Sequence, residues 1–219
     1  MVIPSSVLRW EPAIVAELHA QSIPLPKELV ESVMTVESRG KPGLVNPTSG
    51  ASGLMQIMPN TLKDFNSRHG TDYTTSDMRG TSAESALKQI RVGIDVMAHY
   101  WKRAYQYLSK RLGDVPIDEL GRIADLFYVA GPGATRRKLD KLDMPTWNRV
   151  ISAYPKWNAL PHPTKVFADP KPWNVNAISQ WLEGYLSDLP IEKDPKQGFG
   201  IGIVILMVAY WYMSKGNKA

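Results

Sequence analysis

The 219-residue chain contains no cysteine. That absence removes thiol nucleophiles, zinc ribbons and disulfide frameworks together, and it leaves the redox compartment open. Only 4 histidines are present, scattered along the chain, so neither a metal site nor a cofactor is expected. No charge sign dominates: 26 Lys and Arg against 21 Asp and Glu give a net +5. Two of those charges are Lys215 and Lys218 at the extreme C-terminus, leaving +3 for residues 1–197, too weak an excess to argue for nucleic acid. No period of roughly 20 to 50 residues recurs, which excludes repeat architectures. The N-terminus has no basic stretch followed by an apolar run, because Pro4, Glu11 and Glu17 interrupt it, so no secretory signal peptide is expected.

What is present is an ordinary globular mixture, 43% hydrophobic and 21% charged, long enough for one domain with an appendage. The body reads as mainly α. Pro12 and Pro26 suit the first turns of helices over 12–20 and 26–39, with Gly40 and Pro42 stopping the second. A third helix runs from Pro59 to Gly70. From 83 to about 112 the series Leu87, Ile90, Ile94, Met97, Trp101, Ala104, Leu108 steps by three or four, with Thr81 and Glu84 spaced as a capping box. Pro116 opens a helix carrying Leu120, Ile123, Ala124, Phe127 and Tyr128, closed by Gly131, Pro132 and Gly133.

Residues 40–58 turn to glycine, serine, asparagine and proline, which predicts irregular chain or a short hairpin, a usual setting for a site. These elements make a helical domain over 1–155. A proline-rich connector follows over 156–197, with Trp157 and Trp173 as expected packing anchors and a short helix near 176–187 placing Ile178, Trp181, Leu182 and Tyr185 on one side. Residues 198–213, GFGIGIVILMVAYWYM, form 16 residues without a charge, with aromatics at one end and lysines outside both. As a helix they span ~24 Å, short of a bilayer core of ~30 Å, yet the apolar surface and flanks predict a single transmembrane anchor. The alternative is a terminal helix buried in the body or packed into another protein.

One carboxylate is out of place. At 100° per residue, Leu29, Val30, Val33, Met34 and Val36 occupy an arc of roughly 160°, and Glu37 falls inside it while Glu28 and Glu31 fall outside. An acid on the core-facing side is costly unless paired or protonated, and an apolar surround suits a carboxyl to general-acid work. The structural alternative is an ion pair with Arg39 or Arg91.

From Glu37 onward, ESRGKPGLVNPTSGASGLMQIMPNTL resembles the catalytic segment of Slt-type lytic transglycosylases of the lysozyme-like superfamily, with GASGLMQIMP at 50–59 as its most specific block. FYVAGPGA at 127–134 is similar to the family's tyrosine-containing YNAGPG element, and the resemblance covers roughly residues 10–155. It implies an α+β lysozyme-like fold with Glu37 as the acid/base. Asn46, Gln56 and Met58 would contact the glycan, and Tyr128 the catalytic carboxyl. Two positions depart from the pattern: Asn46 stands where many members have serine, and Val129 where they have asparagine.

The implied reaction needs one carboxyl, where most glycosidases use two. Glu37 would protonate the oxygen between N-acetylmuramic acid and N-acetylglucosamine. The muramyl acetamido group would stabilise the developing cation, and Glu37 would then accept the C6 hydroxyl proton, giving a 1,6-anhydromuramyl end. Asp64, Asp95 and Asp125 are the second carboxylates available to a goose-type lysozyme, and a non-catalytic structural or delivery protein is a further alternative. The implied partners are the peptidoglycan strand, a membrane through 198–213, and other proteins of a virion or secretion machine. The setting expected is a bacteriophage virion acting in entry, or alternatively the bacterial cell envelope.

Overall fold

The computed structural model describes residues 3–112 and 174–187 and, between them, Val115, Leu120, Ala124, Phe127, Tyr128, Gly133, Arg136, Arg137 and Asp140. Residues Met1–Ser187 form one compact unit, and the second, Asp188–Ala219, lies outside the described residues. The fold is mainly helical: α1 (Ser5–Leu8), α2 (Glu11–Ala20), α3 (Lys27–Glu37), α4 (Pro59–His69), α5 (Thr75–Arg79), α6 (Ala83–Leu112) and α7 (Val175–Ser187). The β content expected of an α+β fold reduces, among the described residues, to isolated bridges Val45–Ser52 and Ser52–Ile57.

Prolines start helices where the missing N–H costs nothing: Pro12 lies in the first turn of α2, and Pro59 opens α4. Gly70 ends α4 in the left-handed region at φ 63. The cap of α6 differs from the expectation. Ser82, not Thr81, accepts the Ser85 amide at 3.1 Å, and Glu84 pairs instead with Lys88 at 3.1 Å. A reciprocal capping box does occur, at α5, between Thr74 and Asp77.

Helix α6 is the spine, packing against α2, α4, α5 and α7. Ile90, Ile94, Met97, Trp101, Ala104 and Leu108 are buried as the periodicity predicts, but Leu87 is 53% exposed. At ~1.5 Å per residue α6 is ~45 Å long. It outruns partners of at most 13 residues. Leu120, Ala124 and Phe127 are helical and buried, whereas Gly133, expected in a terminating turn, is helical. In α7, Ile178 and Leu182 are buried, with Trp181 and Tyr185 half-buried beside them.

Helix α3 is wrapped on more sides than one face. It packs on α1 and α2, so Ser32 and Glu31 are buried as well as the apolar arc, contrary to the reading that placed Glu31 with the solvent. The Ser32 and Thr35 hydroxyls satisfy themselves on the Glu28 and Glu31 carbonyls at 2.6 and 2.7 Å. Glu31 Oε1 has no such partner, and burial pushes its carboxyl above the ordinary value.

No helix among the described residues is long and apolar enough to cross a membrane. The 198–213 segment, Trp157, Trp173, Ile123, Asp125 and Val129 all lie outside the described residues.

Candidate active site

Glu37 is the last residue of α3 and is half-buried. Beyond it the chain reverses through two left-handed residues, Arg39 at φ 53 and Gly40 at φ 76. The glycine is required there, because a Cβ would lie 2.2 Å from the Ser6 carbonyl oxygen. Residues 5–10 strap this turn. The Ser6 hydroxyl donates to the Arg39 carbonyl at 2.8 Å, and Arg9 and Trp10 Nε1 donate to the Gly40 carbonyl at 3.0 and 3.1 Å. The buried Ser38 hydroxyl accepts the Gly40 amide at 3.1 Å and donates to the Leu54 carbonyl at 2.7 Å, stitching the residue after Glu37 to the GLMQ segment.

That segment is a compact double turn. Ser52 and Ile57 exchange amide and carbonyl bonds at 3.1 and 2.9 Å, and the Gly53 amide donates to Leu44 at 2.8 Å. Gln89, fully buried on α6, holds it from below. Its Oε1 accepts the Leu54 amide at 2.9 Å while its Nε2 donates to the Asp77 and Gly80 carbonyls at 3.1 and 2.9 Å. Gly53 must be glycine, since a Cβ would meet the Met78 carbonyl at 2.6 Å and Gln89 Oε1 at 2.7 Å.

The sequence-derived site residues divide by position. Tyr128 converges on the loop, its hydroxyl donating to the Met55 carbonyl at 2.6 Å and its ring meeting Tyr100 edge-on with centroids 6.0 Å apart. Gln56, left-handed at φ 48, donates through Nε2 to the Leu44 and Gly53 carbonyls at 3.2 and 3.1 Å. Its amide protons therefore hold the loop, leaving Oε1 as its remaining polar atom for a ligand. Met58 caps α4 and is 40% exposed, in company with exposed Leu44 and Val45 on the segments that these bonds join. Asn46 is exposed on the outer turn, where its Oδ1 accepts the Thr48 and Ser49 amides at 3.0 and 3.1 Å. Only its Nδ2 is uncommitted to that turn.

Two of the second carboxylates have other partners. Asp64 accepts from Arg68 at 3.1 Å, and Asp95 accepts from Arg68 at 2.7 Å and bonds His69 at 2.8 Å. Arg91, considered as a partner for Glu37, lies 3.8 Å from Glu17. Among the described residues no cluster of His, Asp or Glu could hold a metal ion.

Sequence reasoning missed Gln89 and the residue 5–10 strap as parts of this site. Gln89 carried a signal, a polar residue on the wheel sector of α6 between Val96 and Gly93; the strap carried none. No curated protein matches the chain. The family model described as "Transglycosylase SLT domain" matches residues 16–141, spanning the α3 end, the GLMQ loop, α6 and Tyr128. The chain therefore belongs to the SLT transglycosylase family, lysozyme-like lytic transglycosylases that act on peptidoglycan.

Proposed function

We propose that the protein cuts the MurNAc–GlcNAc β-1,4 bond with Glu37 as its single acid/base, leaving a 1,6-anhydromuramyl end. The supporting observation is the placement of Glu37 on a rigid helix end whose next residue is bonded directly to the GLMQ loop. Glu37 gives its proton to the glycosidic oxygen as the C1–O4 bond breaks. It then takes the proton of the C6 hydroxyl as O6 bonds C1, so no water is consumed. The Tyr128 hydroxyl donates to the Met55 carbonyl, which ties the tyrosine to the GLMQ loop that Ser38 also holds. Exposed Leu44, Val45 and Met58 offer apolar surface to the sugar faces, with Gln56 Oε1 and Asn46 Nδ2 as polar contacts.

A lysozyme-like hydrolysis is the second reading, and the ion pairs that occupy Asp64 and Asp95 weigh against it. Mass spectrometry of sacculus digests decides between them. Anhydro ends, one water lighter than reducing ends, are expected, and dominant reducing ends would overturn the proposal. Absence of turnover would favour a structural or delivery role.

The biological setting belongs to the same proposal: local wall penetration during bacteriophage entry, with residues 198–213 as a membrane anchor. Support comes from the 16 uncharged residues of that segment. Flotation of the full chain with vesicles tests the anchor, and detection of the chain in purified virions tests the setting.

A further inference from the structure

The turn that follows Glu37 is pinned through its backbone and leaves its charged side chains unused. Ser6, Arg9 and Trp10 take the Arg39 and Gly40 carbonyls, and the Lys41 amide donates to the Ser38 carbonyl at 3.2 Å. Arg39 and Lys41 are both exposed, and among the described residues neither side chain makes a hydrogen bond or ion pair. From residue 38 to residue 63 the chain holds no acid, so the nearest one along the chain is Glu37, which the proposed reaction uses protonated. Gly43 brings a further exposed, unpaired cation alongside, because a Cβ there would lie 2.8 Å from Thr81 Cγ2 and 3.7 Å from the Arg79 carbonyl. The acids of the surrounding elements are engaged or distant. Glu11 is bonded to Lys27, and Asp77 and Glu84 share Lys88 at 2.8 and 3.1 Å. Asp72 lies beyond the far end of α5 from Arg79. Glu31 and Glu28 sit toward the other end of α3, ~9 and ~14 Å from Glu37 along the helix, about a Debye length or more.

We infer that Arg39 and Lys41 are specificity-determining residues that bind a carboxylate on the muramyl side chain and so favour murein over a neutral glycan. This rests on the reading of Glu37 as the acid for a MurNAc–GlcNAc bond. The ring whose C1–O4 bond breaks is the muramyl one, and it carries its acid through O3 of the same ring. A peptide-free strand presents the lactyl carboxylate there, and a peptide-bearing strand presents the carboxylates of its stem. Consecutive Cα atoms are ~3.8 Å apart, so the Arg39 Cα stands within ~8 Å of the Glu37 Cα, and a long side chain spans the remaining width of a sugar. The guanidinium fork matches a carboxylate with two N–H donors, and Lys41 adds a second charge. Because the turn is already fixed by backbone bonds, no loop has to be ordered when the acid arrives. The pair formed is open to solvent, so the preference is expected to fade as salt rises.

Calorimetric titration of the full chain tests this with chitobiose, with GlcNAc–MurNAc, and with GlcNAc–MurNAc bearing an acidic tripeptide. None of these contains the MurNAc–GlcNAc bond, so binding is read without cleavage. At least one acidic probe is expected to bind about tenfold tighter than chitobiose, and the tighter of the two identifies the carboxylate, lactyl or stem. Arg39→Gln combined with Lys41→Gln should bring that probe down to the affinity of chitobiose, whose own binding stays the same, and Arg39→Lys alone should keep part of the preference. Both side chains are exposed and bond to nothing, so the melting temperature should not move. Chitobiose bound by the wild-type chain as tightly as both acidic probes would overturn the inference. So would a preference that survives the double substitution, or no binding by any probe. A chain that shows the preference but clears no sacculi loses the proposed chemistry and keeps this site, whereas one that clears sacculi without the preference loses only this site.

Discussion

The two sides of α6 are built from different interactions. Toward the GLMQ loop the contacts are neutral and close: Gly93 against Met55, Gln89 clamping Leu54, and Tyr128 on the Met55 carbonyl. On the reverse side the contacts are ionic and wetter, with Arg68 bridging Asp64 and Asp95, and His69 on Asp95. A site that must hold one carboxyl in a fixed place gains from buried neutral hydrogen bonds, which do not weaken with salt. A charged rim gives up that constancy, because its ion pairs are partly exposed and weaken as salt rises. The same helix thus carries a rigid scaffold on one side and a polarised surface on the other.

The sharpest test of the scaffold side is Glu37→Gln. Cleavage of sacculi should fall on the order of 100-fold or more with the melting temperature nearly unchanged, because the amide fits but cannot carry a proton. Near wild-type clearing by the variant would remove Glu37 from the chemistry. Next in size is Gln89→Leu, which strands the buried Leu54 amide and removes the part-buried bonds to the Asp77 and Gly80 carbonyls. A loss of roughly 3 kcal/mol or more in urea unfolding is expected, with activity falling alongside it. Asp95→Asn on the reverse side should cost only about 1 kcal/mol and leave cleavage intact. Equal costs at the two positions would break the contrast between the two sides.

Much of this was legible in the sequence where one residue carries the information. Pro12, Pro59 and Gly70 mark helix ends through their own backbone limits, and the α6 periodicity finds its buried seam. Glu37 stood out because a charge on an apolar arc needs a reason. What was not legible depended on how many neighbours an element has. The wheel assumes one buried face, but α3 lies against both α1 and α2, which buries Glu31. It also assumes cover along the whole length, but α6 is 30 residues long against partners of at most 13, and Leu87 is exposed. The strap from Ser6, Arg9 and Trp10 joins residues about 30 apart through backbone carbonyls, which no side-chain pattern encodes. Trp10→Phe should therefore cost about 1 kcal/mol, the worth of one hydrogen bond, and lower activity through the turn after Glu37.

The smallest expected effect separates two titrating groups of opposite sign, buried Glu31 and half-buried His99. Glu31 is raised above its ordinary 4.5, first by desolvation, with Lys27 opposing. The folded chain therefore binds that proton more tightly than the unfolded chain, and the stability it contributes is present below about 4.5 and lost as pH rises through the folded value. At neutral pH the buried carboxylate is a cost, so Glu31→Gln should raise the melting temperature by about 2–4 °C at pH 7, and the gain should vanish as pH approaches 4. His99 runs the other way. Lowered from 6.5 to about 4, it contributes stability that is present above 6.5 and lost as pH falls through 4. Melting curves of wild type, Glu31→Gln and His99→Gln across that interval should show the Glu31 variant with the steeper dependence on His99, falling more sharply on the acid side than wild type. A Glu31→Gln variant less stable than wild type at pH 7 would mean that the carboxylate is fully paired, and that α3 carries no electrostatic penalty beside Glu37.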